Sequence, residues 1–225
     1  MIVVVESMSI VIVGTGGSGR EAASVIRAIA TSGAEDRRLI GYLDEAKFAR
    51  TRATKLAAPL LGSPIDVELL AALPRPCAFT IAIGNGSVRN RLRKDLLASG
   101  MTEAVLIHPA AVIGADTEIC GGTINAGTIL TTGVRLGAST QIDIGCTLGH
   151  DVTLGNGVTV SPGANLSGFT VVGDGATIYT NATVLPGIHI GAGARVGAGA
   201  VVIEDVKAGD TVVGVPAVSL RTSLT

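Results

Sequence analysis

The sequence predicts two domains, an α/β domain over residues 1–105 and an all-β solenoid over residues 106–225. Three observations predict this division. Strand and helix signals alternate in the first half, a branched apolar residue recurs at every sixth position in the second, and 21 of the 31 glycines lie after residue 105. Charge divides at the same place: residues 1–105 hold 13 of the 17 Lys and Arg side chains, and residues 106–225 hold four.

The first half reads as follows. Ile10 to Val13 is a buried-strand run, followed by Gly14-Thr15-Gly16-Gly17-Ser18-Gly19 and a helical stretch to Ser32 that Gly33 stops. Leu39 to Leu43 predicts a second strand ending at Asp44-Glu45, and residues 46–66 carry no clear signal. A short helix over Val67–Leu73 stops before Pro74. Phe79 to Ile83 is a third strand, followed by Gly84-Asn85-Gly86 and a basic helix from Val88 to about Ser99. This βαβαβα order builds a parallel sheet, expected here to have three or four strands.

In the second half the residues at every sixth position from Ile124 to Val202 are fourteen consecutive Ile, Leu or Val. Four positions after each anchor the side chain is mostly small, as at Thr128, Thr140, Cys146, Ala164, Ala176 and Ala200. Ile107, Ile113 and Ile119 form an earlier set one residue out of frame, so a one-residue slip is expected between 119 and 124. A period of six is too short for a helical repeat and fits a short strand plus a turn, with one large and one small side chain pointing inward. The narrow core such coils bury explains why only Tyr42, Phe48, Phe79, Phe169 and Tyr179 are aromatic.

Composition excludes several functions. With five aromatics among 225 residues and a net charge of −1, the chain has neither the stacking platforms nor the positive field of a nucleic-acid binder. No apolar run reaches the roughly 18–20 residues that span a bilayer, and the N-terminus lacks a basic region and a cleavage site of signal type, so a cytoplasmic protein with no membrane partner is expected. Cys77, Cys120 and Cys146 are too scattered for a disulfide framework. His108, His150 and His189 are widely separated along the chain and form no compact metal-ligand set, so no metal is expected.

The glycine loop fits G-x-G-x-x-G between a strand and a helix, a setting that favours an anionic phosphate. Asp44, at the end of the second predicted strand, also allows NAD binding. A short sheet argues against a dinucleotide, and a ligand-free strand–helix turn is the remaining alternative. On spacing alone His150, outward on its hexad, is incidental. Cys146 takes the inward small position, where a thiol packs as a small hydrophobe and not as a nucleophile.

The frame [Ile/Leu/Val]-Gly-x-x-[small]-x resembles the hexapeptide acyltransferases, whose fold implies an α/β N-terminal Rossmann-like domain followed by an all-β left-handed parallel β-helix with three hexads per coil. The combination with Gly14–Arg20, Gly41–Glu45, Ile81-Ala82-Ile83-Gly84-Asn85-x-x-x-Arg89, Leu106-Ile107-His108-Pro109, Gly149-His150-Asp151 and Val213–Ala217 is similar to one bacterial family. It contains the sialic-acid O-acetyltransferases and the N-acetyltransferases of nucleotide-linked 4-amino sugars. The resemblance implies that His150 is a general base steadied by Asp151. It also implies that Gly16, Gly17, Ser18, Asp44, Glu45 and Gly84 hold the nucleotide sugar, and that Thr159, Thr180 and Ala198 contact acetyl-CoA. Ser18 and Thr159 stand where many members have His, and Asp143 where relatives often carry Asn. The implied reaction moves acetyl from acetyl-CoA to the amine of a UDP- or GDP-linked 4-amino-4,6-dideoxy sugar for surface glycan biosynthesis, by direct attack. The implied assembly is a homotrimer with sites between subunits. Sugar O-acetylation and a non-catalytic nucleotide-sensing scaffold are the alternatives.

Overall fold

The structure, a computed structural model, describes residues 8–33, 36–45 and 55–220. It divides into two compact units. One comprises the chain up to Gly84 together with Arg91–Pro109, and the other comprises Asn85–Asn90 and Ala110 onward.

The first unit is a parallel sheet with helices. Its strands are β1 (Met8–Val13), β2 (Arg37–Leu43), β3 (Leu60–Gly62), β4 (Cys77–Ile81) and β5 (Thr102–Glu103), in the order β3-β2-β1-β4-β5. Five strands correct the expected three or four: β3 and β5 are edge strands of three and two residues, too short to show as periodic runs. Helix α1 (Gly17–Ser32) ends where Gly33 turns left-handed at φ 73°. Helix α2 (Val67–Ala72) is capped by the Asp66 carboxylate, which accepts from the Leu69 N–H at 3.1 Å. Helix α3 (Gly86–Ala98) begins just before its predicted start, because the Asn85 side chain accepts from the Val88 N–H. Ile10 and Ile12 of β1 pack against Ala22, Val25, Ile26 and Ile29 of α1, all buried. Sheet order reverses at β1, so the carboxyl ends of β1 and β4 form a switch point, the usual ligand crevice of such sheets.

The second unit is a left-handed parallel β-helix. Its very short strands stack into three parallel sheets, each strand pairing with the one three hexads on, as Leu130 with Leu148 and Leu148 with Leu166. All fourteen anchors from Ile124 to Val202 are at most 2 % exposed. The small inward positions, Thr128, Cys146, Ala164, Ala176, Ala182 and Ala200 among them, are fully buried. The slip is where the spacing put it. Ile113 pairs with Leu130 and Ile119 with Leu136, each one position short of three hexads, whereas Ile124 pairs with Ile142, a full three hexads on. Gly122 absorbs the difference at φ 106°, with no room for a side chain against the Thr140 backbone.

Candidate active site

Within the first unit the glycine loop links β1 to α1. Gly14 and Gly19 are there for packing: a Cβ on Gly14 would meet the Ala82 carbonyl oxygen at 2.7 Å, and one on Gly19 would run into the Gly14 carbonyl. Gly17 differs. A Cβ there would meet nothing within 4 Å, and the same holds for exposed Gly84 after β4. At these two positions the space beside the backbone is open. Gly16 is the N-cap of α1 and supplies no capping side chain, and the first turn holds no acid, so the amide donors and positive end of the helix face outward beside half-buried Ser18. Asp44 is drawn into the loop. Its Oδ2 accepts from the Thr15 N–H at 2.9 Å and from the Thr15 hydroxyl, and its Oδ1 accepts from the Glu45 N–H at 2.8 Å. Glu45 itself is exposed. The predicted nucleotide residues therefore gather at the switch point. A cavity of about 510 Å³ in the same unit lies elsewhere, along α1 and the start of β2 between Arg27, Arg38 and Tyr42, and none of the predicted residues lines it.

In the second unit His150 and Asp151 occupy the turn between the strands Thr147–Leu148 and Thr153–Leu154. Asp151 adopts φ 60°, and its carboxylate Oδ2 lies 3.0 Å from His150 Nδ1. Both side chains are about half exposed. An acceptor at Nδ1 favours the tautomer with its proton there, which leaves Nε2 basic. The imidazole lies over Gly168, where a Cβ would come within 2.6 Å of Cε1 and Nε2. Thr180 and Ala198 stack one coil apart and exposed on a different corner, the Gly199 N–H donating to the Thr180 carbonyl at 2.9 Å. Thr159 is on neither corner: it is a strand residue, 8 % exposed. One copy of the chain thus keeps the predicted base and the predicted acetyl-CoA contacts apart.

The remaining candidates are placed plainly. Cys146 is fully buried, and burial pushes its thiol up to about 11. His189 lies in a strand, with its ring exposed and 3.8 Å from Asp205. Asp143 is half-buried near Asn125, whose side-chain amide lies 3.5 Å from its carboxylate.

Residues 9–96 match the PglD N-terminal domain, and residues 133–168 and 169–204 each match the six-repeat bacterial transferase hexapeptide family. The two matches fall on the two halves of the chain, the first on the α/β sheet and the second on the β-helix. A curated relative, UDP-N-acetylbacillosamine N-acetyltransferase of Bacillus subtilis, is 37 % identical over 116 residues. The match covers 52 % of this chain and 50 % of that relative, so it spans half the relative's length. Among solved structures, the acetyltransferase domain of PglB from Neisseria gonorrhoeae in complex with acetyl coenzyme A superimposes with a TM-score of 0.82 at 29 % identity, covering 95 % of this chain and 100 % of that one. A histidine-to-alanine mutant of GDP-perosamine N-acetyltransferase from Caulobacter crescentus, in complex with CoA and GDP-perosamine, gives 0.83 at 29 % identity, covering 94 % and 96 %. WeeI from Acinetobacter baumannii gives 0.74 at 29 % identity, covering 95 % and 100 %.

One residue stood in the sequence only as part of a motif. Arg89 is completely buried in the second unit. Its Nε donates to the Ser139 carbonyl at 2.9 Å and its Nη1 to Gln141 Oε1 at 3.2 Å. Its Nη2 donates to the Gly157 and Val158 carbonyls and to Thr159 Oγ1 at 2.8, 3.1 and 2.9 Å. The Thr159 hydroxyl oxygen is therefore engaged from inside the protein.

Proposed function

We propose that this chain transfers acetyl from acetyl-CoA to the amine of a nucleotide-activated, UDP- or GDP-linked 4-amino-4,6-dideoxy sugar, in surface glycan biosynthesis. The observation that carries the reading is the His150–Asp151 pair, a half-exposed imidazole with Nδ1 on a carboxylate and Nε2 left to accept a proton. The PglB and perosamine enzymes, solved with acetyl coenzyme A and with CoA and GDP-perosamine, support the same pair of substrates.

In the proposed reaction the amine nitrogen forms a bond to the thioester carbonyl carbon while Nε2 of His150 takes the amine proton. Asp151 stabilises the imidazolium at Nδ1. The carbon–sulfur bond then breaks, and the imidazolium returns its proton to the departing thiolate. Gly16, Gly17 and Ser18 offer backbone donors to the nucleotide's phosphates, with Gly84 leaving room beside them. Asp44 and Glu45 border the site. Thr180 and Ala198 line the acetyl-CoA groove, and Thr159 backs it.

A homotrimer follows from the same reading. His150 and Thr180–Ala198 sit on different corners, so a groove holding both needs a second copy. The solenoid flank supplies apolar surface for such contacts at Val112, Ile129, Ile144 and Leu185. Among the described residues no helix is long and apolar enough to cross a membrane, and a cytoplasmic site of action belongs to the proposal.

The test is thiol release from acetyl-CoA with UDP- and GDP-linked 4-amino sugars, alongside their 4-hydroxy counterparts and a sialic acid. Turnover confined to the amines is expected. Turnover of the hydroxyl sugars alone would identify an O-acetyltransferase, and no turnover with any acceptor would leave a nucleotide-sensing scaffold. Light scattering is expected to give three copies per particle at micromolar concentration, and a stable monomer would sink the shared groove.

A further inference from the structure

Thirteen successive turns of the β-helix, at every sixth residue from Gly127 to Gly199, place one residue in the left-handed region. Nine of these residues are glycine, and Ser139, Asp151 and Asn181 carry short polar side chains that tolerate the conformation. The thirteenth is Phe169, at φ 61°. A bulky residue is strained there. Burial does not offset the strain, because Phe169 is 59 % exposed.

What the ring touches is His150. Their centroids are 4.8 Å apart and the planes meet at 87°, an edge-to-face pair. Phe169 stands one coil beyond Asp151, and its N–H donates to the His150 carbonyl at 2.9 Å. The imidazole therefore has Gly168 beneath it, Asp151 at Nδ1 and Phe169 against its ring. A half-exposed histidine on a turn otherwise has open rotamers. We propose that Phe169 is a positioning residue that holds the His150 imidazole with Nδ1 on Asp151 and Nε2 presented to the acceptor. This rests on the reading of His150 as the base.

The experiment is kinetics and thermal melting of Phe169→Asn, Phe169→Tyr, His150→Ala and the double variant Phe169→Asn/His150→Ala in the full chain. Asparagine accepts a left-handed backbone, so Phe169→Asn is expected to raise Tm by about 2 °C. It is expected to lower kcat roughly 10- to 100-fold through misplacement of the base. KM for acetyl-CoA and for the sugar nucleotide should stay within about twofold, since Phe169 acts through His150. Phe169→Tyr keeps the aromatic ring and retains kcat. In the His150→Ala background Phe169→Asn lowers kcat no further, while its rise in Tm remains. Wild-type kcat in Phe169→Asn with an inactive His150→Ala overturns the positioning role and keeps the base. Wild-type activity in His150→Ala overturns the base itself. A raised KM at unchanged kcat makes Phe169 a substrate contact, and a lowered Tm or a lost oligomer makes it a packing residue, and either result overturns the proposal.

Discussion

The glycine loop after β1 and the His150–Asp151 corner are built on opposite plans. In the loop the proposed working groups are backbone amides, and its glycines differ: Gly14 and Gly19 make room for the chain itself, and Gly17 borders open space. At the corner the backbone is one of thirteen near-identical turns, and the proposed chemistry is in side chains laid on that repeat. The comparison teaches where to look for function in each. In an irregular turn it is the glycine without an internal reason, and in a solenoid it is the residue that departs from its repeat.

The largest effect should come at the corner. His150→Ala is expected to lower kcat roughly 10²–10⁴-fold, the usual range for a positioned general base. It should leave Tm unchanged, since the ring is exposed and apart from the inward anchors. Asp151→Asn should cost less, since Asp151 only steadies the imidazole. Steady-state assays of both variants check this, and wild-type kcat in His150→Ala would move the base elsewhere.

Next is a fold effect inside the same unit. Arg89→Ala removes a buried guanidinium that donates to three carbonyls, the Gln141 side chain and the Thr159 hydroxyl. A loss of about 3 kcal/mol is expected, read as a drop in Tm of roughly 10 °C. Thr159→Val gives up one of those contacts and should cost about 1 kcal/mol. Equal Tm for the two variants would contradict the hydrogen-bond assignment.

Gly17→Val tests the loop directly. The position has open space for a side chain, so the melting curve should not change, while KM for the sugar nucleotide rises about tenfold and acetyl-CoA kinetics stay as they were. An equal rise in both KM values would show that the loop is not a dedicated nucleotide site. The smallest effect is at Cys146. With its thiol pushed up to about 11 by burial, it should resist alkylation at pH 8 while exposed Cys120 reacts, as peptide mass spectrometry would show. Cys146→Ala should retain kcat within about twofold.

These contrasts mark what the sequence could disclose. The β-helix was legible because each hexad repeats the same demand, one large and one small inward side chain, and even the slip after Ile119 showed as a broken frame. Helix α1 was legible from its loop and from Gly33. The edge strands β3 and β5 were not, because such short runs carry no alternation. Arg89 looked like part of a basic helix; nothing local announces that a guanidinium will be buried against carbonyls far along the chain, from Ser139 to Val158. The tautomer of His150 depends on a rotamer and the Asp151 carboxylate, which spacing does not encode. Phe169 was detectable in principle, since it stands at the turn position that glycine holds in nine of thirteen hexads.

The three-hexad pairing separates two kinds of information carried by the same repeat. Excising a single hexad between the two coils, such as Ser161–Leu166, would leave every remaining anchor in phase with the inward pattern, yet carry Gly168 and Phe169 one corner around the coil, away from His150 and Asp151. Excising three hexads upstream of His150 would leave these four residues as they stand relative to one another. To the packing of the coil the two edits are alike, and only the longer one keeps Gly168 and Phe169 against the His150 imidazole. Chains of this kind can therefore vary in length by whole coils while the proposed reacting groups keep their bearing, whereas loss of a single hexad between them preserves a foldable rod and erases that address.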